Sequence, residues 1–72
     1  MPELNTITGK RIKIRREALR MSQEELAQRL GYKSRSTIAK IELGVNRVTL
    51  SMVTEFANVL QTTPAWLAGW DN

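Results

Sequence analysis

The chain has no cysteine and no histidine. That excludes a disulfide framework, thiolate or imidazole metal ligands, and nucleophilic catalysis by either side chain. Long apolar runs are missing as well. No stretch approaches the roughly 18 to 20 apolar residues of a membrane-spanning helix. The opening segment, Met1 to Asn5, is polar where a secretory leader would be apolar, so a cytoplasmic location is expected. Glycine and proline are few, 4 and 2 in 72 residues, and stand singly as punctuation rather than clustering into a linker. With no repeat or low-complexity tract, residues 1–72 are expected to form one domain with a modest core and a narrow margin of stability. Gly9, Gly31, Gly44 and Gly69 are too scattered to build a phosphate-cradling loop. Glu24 and Glu25 are adjacent, so on a helix they point in different directions and cannot share an acid–base task. Neither a cofactor nor a catalytic activity is expected.

What the chain does have is positive charge, unevenly placed. Residues 1–47 hold all 11 Lys and Arg against 5 acidic residues, a balance of +6, while the remainder carries only Glu55 and Asp71. A basic first two-thirds joined to an apolar, mildly acidic tail suggests a phosphate-facing surface on one part and a packing or association surface on the other.

Apolar spacing is helical throughout. Ile12 and Leu19 lie two turns apart, Leu26 and Leu30 one turn apart, and Val53, Phe56, Ala57 and Leu60 form an i, i+3, i+4, i+7 stripe. Cap chemistry places the boundaries. Ser22 and Glu25 have capping-box spacing, and Gly31 is suited to the left-handed residue that ends a helix. Ser34, Thr49 and Thr63-Pro64 are natural starts, with Gly44 and Gly69 as stops. The expectation is an all-α chain of five helices at about 6–20, 23–30, 35–43, 50–60 and 64–68.

The second and third helices, joined by a tight turn at Gly31 to Ser34, have the spacing of a helix-turn-helix. In that geometry one helix crosses the DNA backbone and the next enters the major groove, so the crossing needs small or aliphatic residues. Ala27, Leu30, Ile38 and Ile41 meet that need. With Ile38 and Ile41 inward, the opposite face carries Ser36, Ala39, Lys40 and Leu43, with Arg35 at the flank. Arg35 or Lys40 suits guanine O6 and N7, Ser36 a base or a phosphate, and Ala39 a thymine methyl.

The segments Gly9-Lys10-Arg11-Ile12, Ser22 to Gly31, Ser36 to Gly44 and Pro64 to Trp70, in this order and spacing, closely resemble the lambda-type helix-turn-helix of phage repressors and Cro proteins, the XRE family. The resemblance implies a compact five-helix lambda repressor-like DNA-binding domain that recognises an operator in double-stranded DNA, near-palindromic and bound by a homodimer. It implies base contacts from Arg35, Ser36, Ala39 and Lys40. It also implies that Gln23 binds a phosphate and braces the recognition helix, and that Arg16 and Glu42 form an internal ion pair. Asn46 and Arg47, in the loop after Gly44, match positions that grip the phosphate backbone, and Lys33 and Ser34, in the turn before the recognition helix, are further phosphate candidates. Between Gly31 and Ile38 the turn is one residue longer than the family's usual pattern, which leaves the order of Arg35 and Ser36 against the bases open. Leu43 stands where many members carry a polar residue that contacts phosphate, and its exposure on the helical wheel is not explained by that role.

The tail, Thr63 to Trp70, resembles a prophage-repressor subgroup in which a linker and an oligomerising domain follow. An isolated DNA-binding domain and a naturally short protein are both compatible with that resemblance. Trp66, Leu67 and Trp70 are core candidates and, alternatively, contacts between two copies. Besides a transcriptional repressor, the same fold serves as an antitoxin-like protein-interaction module, which Leu43 and Trp70 would motivate, and as a restriction-modification controller.

Overall fold

A computed structural model describes residues 4–70; the ends of the expected 1–72 unit, 1–3 and 71–72, lie outside the described residues. Five helices follow one another: α1 Leu4–Ala18, α2 Gln23–Leu30, α3 Arg35–Glu42, α4 Leu50–Val59 and α5 Pro64–Ala68. Four of them start as the hydroxyl residues dictate. Ser22, Ser34, Thr49 and Thr63 hold extended backbones, and their side-chain oxygens accept from the amides of Glu25, Ser36, Met52 and Trp66 at 3.0 to 3.1 Å. At Ser22 the capping box is half made, because the Glu25 carboxylate pairs one turn onward with Arg29 at 3.3 Å.

All five helices end alike. A left-handed residue, Arg20, Gly31, Gly44, Gln61 or Gly69, is followed by an amide that reaches back five residues. The bonds are Met21 to Arg16, Tyr32 to Ala27, Val45 to Lys40, Thr62 to Ala57 and Trp70 to Ala65, at 2.8 to 3.0 Å. Arg20 fills this position at φ 56°, so α1 stops at Ala18 rather than at the expected residue 20. With no glycine there, the sequence carried no stop signal.

The core is one cluster. Ile12, Leu26, Ile38, Ile41, Val53, Phe56, Leu60 and Leu67 are fully buried, one or two from each helix and Leu60 from the residue that caps α4. The two short helices α2 and α3 pack chiefly on each other, α1 lies across α3 and α5, and α4 closes against α5 and α2. At the α1–α3 crossing only glycine is tolerated: a Cβ on Gly9 would overlap the Ile41 carbonyl oxygen and lie 2.9 Å from that of Glu42. The carbonyl end of α3 therefore rests directly on the α1 backbone, which fixes where α3 points.

Of the two alternatives the sequence left for Leu67, the structure has the core one: the side chain is fully buried beneath α5 and leaves the dimer-contact alternative no exposed surface. Trp66 is half-buried, and Trp70 is 60% exposed.

Candidate nucleic-acid interface

The α2–turn–α3 unit is built from the inside outward. Ala27, Ile38 and Ile41 are buried where the helices cross, and Leu30 is packed half-buried beside them. The longer turn is absorbed inward: the Tyr32 ring packs 6.2 Å from that of Phe56, while Lys33 stays exposed. Burial, and secondarily the Glu55 carboxylate, raise the Tyr32 phenol above its ordinary value. With Ser34 as the cap, Arg35 is the first helical residue and Ser36 the second.

The outward face of α3 carries exposed Ser36, Lys40 and Leu43, with Ala39 half-buried among them and exposed Arg35 on the first turn. The Ser34 and Ser36 hydroxyls are 2.7 Å apart and share one hydrogen bond, which leaves one hydroxyl hydrogen between them for another partner. Arg35 also borders a polar hollow of about 270 Å³ beside Glu24, Gln28 and Lys33.

Behind this face α3 is pinned by a buried network. The Arg16 Nε donates to Glu42 Oε2 at 2.6 Å, its Nη2 to Oε1 at 3.1 Å, and its Nη1 to the Met21 carbonyl at 2.8 Å. Gln23 Nε2 donates to Glu42 Oε1 at 3.0 Å. The hydrogen bond to Glu42 pushes the Arg16 guanidinium above its ordinary value against the opposing effect of burial. One side chain of α3 is thereby tied to α1 and to the first residue of α2. The Gln23 amide has a second hydrogen, and that one is not used on Glu42.

The loop after α3 holds Asn46, half-buried, and Arg47, exposed. Asn5, which the sequence reading passed over, fastens this loop by accepting from the Val48 amide at 2.9 Å.

Not all of the positive charge faces outward. Arg15 donates to the Leu60 carbonyl at 3.0 and 3.2 Å and to that of Gln61 at 3.3 Å, closing the carbonyl end of α4. Arg11 lies 4.8 Å over the Trp66 ring and donates to the Trp66 carbonyl in α5. Cations at helix C-termini are favoured by the helix dipole. Three arginines of α1 thus serve the fold. Lys13 does not: it lines a groove of about 200 Å³ with Gln23, Ala39, Glu42 and Leu43. It lies three residues before Arg16, one turn away on the same side of α1, which is the side that faces α3.

Among the described residues no helix is long and apolar enough to cross a membrane, and no group of acidic residues is gathered as a metal site.

A family model described as helix-turn-helix matches residues 12–67. The crystal structure of a hypothetical transcription factor, NHTF, from Neisseria superposes with a TM-score of 0.83 at 24% sequence identity, covering 92% of this chain and 75% of that one. No curated protein sequence matches the chain.

Proposed function

Because this chain belongs to the helix-turn-helix family of DNA-binding domains, matched over residues 12–67, we propose that it binds an operator sequence-specifically and represses transcription, with α3 in the major groove. The observation that carries this reading is an outward face of α3 with exposed donors on a helix held rigidly from behind by Arg16, Glu42 and Gln23. A pinned helix presents Arg35, Ser36, Ala39 and Lys40 to base edges without first losing the entropy of ordering them.

Gln23, Lys33, Ser34, Asn46 and Arg47 grip the phosphates on either side and set the register. Two copies bind a near-palindromic site in the cytoplasm, with half-sites one helical turn, ~34 Å, apart. Trp70, 60% exposed, is the tail residue open to a second copy. Repression requires only that the occupied operator exclude polymerase.

The test is base preference. Arg35→Ala and Lys40→Ala should each relax discrimination at one operator position by roughly 1–3 kcal/mol. Lys33→Ala and Arg47→Ala should weaken binding to all sequences alike and flatten its salt dependence. If neither α3 substitution changes the preferred sequence, α3 is not the reader.

A further inference from the structure

Leu43 is unexplained by donors and acceptors. It is 77% exposed, the most exposed of the large apolar side chains among the described residues, and, as the C-cap of α3, it continues the outward face of Ser36, Ala39 and Lys40. An isobutyl group exposed on the working face of a binding helix gains free energy when a bound partner covers it. Beside it lies the groove lined by Lys13, Gln23, Ala39, Glu42 and Leu43. Its Leu43 and Ala39 side is apolar. Its rim carries Lys13 from α1 and the amide of Gln23.

Glu42 would repel a polyanion if its carboxylate were unengaged. Here both oxygens are occupied, Oε2 by Arg16, and Oε1 by Arg16 and Gln23. The groove therefore combines an apolar wall with a net positive rim, a pairing suited to a base carrying a methyl group and flanked by phosphate. Among the four bases, thymine alone projects a methyl into the major groove. A protein partner would be matched by the apolar wall but not by the cation above it.

We propose that Leu43, with Ala39, reads the 5-methyl group of one thymine in each half-site, while Lys13 lies against a phosphate beside that nucleotide. Leu43 is then a specificity-determining residue acting through burial of a single methyl. The inference rests on the reading of α3 as the groove helix.

The experiment replaces, one at a time, each thymine of an operator obtained by selection from random duplex DNA with deoxyuridine, which lacks only the methyl. Affinities are measured for the wild-type chain and for Leu43→Ala, a substitution at an exposed position that leaves the core intact. Wild type should lose roughly fourfold at one thymine per half-site, the effect of one buried methyl. Leu43→Ala should bind the thymine operator weaker by a similar factor and lose most of the response to demethylation there, keeping only what Ala39 contributes.

The inference is overturned if no thymine responds, or if Leu43→Ala keeps the wild-type response. It is also overturned if Leu43→Ala weakens binding to both DNAs equally and impairs self-association, which makes the side chain a contact between copies. If selection yields no preferred sequence at all, the groove reading itself has failed, an outcome distinct from the other three.

Discussion

Glu42 is the point where the recognition helix is fixed to the rest of the molecule, and replacing it with alanine tests that arrangement. The carboxylate is nine-tenths or more buried and accepts three hydrogen bonds, two from Arg16 at 2.6 and 3.1 Å and one from Gln23 at 3.0 Å. Glu42→Ala leaves the guanidinium buried with one remaining acceptor, the Met21 carbonyl, and leaves the Gln23 amide facing a hole. Removing one partner of a buried pair costs about 3–5 kcal/mol, because the desolvated charge stays behind. A chain of 72 residues has only about 4–11 kcal/mol in total. The variant should therefore lose about a quarter or more of its stability, read as a shifted midpoint in urea unfolding followed by tryptophan fluorescence. The double variant Arg16→Met with Glu42→Leu buries no charge and should recover most of the loss. Salt between 0.1 and 1 M should change the deficit little, since burial limits screening. A Glu42→Ala deficit under about 1 kcal/mol, or a double variant less stable than the single one, would refute the reasoning.

Other outcomes follow from the same geometry. Gly9→Ala should cost about 3 kcal/mol, the upper end for overpacking, because the new methyl meets the α3 backbone rather than a movable side chain, and a melting temperature near wild type would contradict the close crossing. Arg20→Gly and Gln61→Gly should each raise stability by about 0.5 kcal/mol by relieving a left-handed backbone, while Gly31→Ala should lower it by about 1 kcal/mol, all by urea titration. The Tyr32 phenol is raised above its ordinary value near 10, so the folded state holds its proton longer than the unfolded one. That contribution is whole below pH 10 and is lost as pH rises further, so Tyr32→Phe should show a shallower alkaline fall in stability than wild type.

The starts of α2 to α5 were legible because each is written locally, a hydroxyl residue followed by its own helix, whereas α1 begins at Leu4 rather than at the expected residue 6. Ends marked by glycine were equally legible. The end of α1 was not, since Arg20 reaches the left-handed region with no chemical sign of it. At the interface, exposure on α3 follows from periodicity once Ile38 and Ile41 are placed inward. Arg11 and Arg15 could not be separated from Lys13 by local pattern. Whether a cation caps a distant helix or faces outward depends on contacts 45 to 55 residues away in the chain. Leu67 was ambiguous for a related reason, because α5 has only five residues and periodicity alone does not choose its inner face.

The claim on which most depends is that α3 reads DNA bases. Selection from random duplex DNA by the wild-type chain, at two salt concentrations, tests it most directly. The expected result is a two-fold symmetric consensus at low salt that persists at higher salt, with affinity falling steeply as phosphate counterions are released. Enrichment of no consensus, or binding indifferent to both sequence and salt, would contradict it.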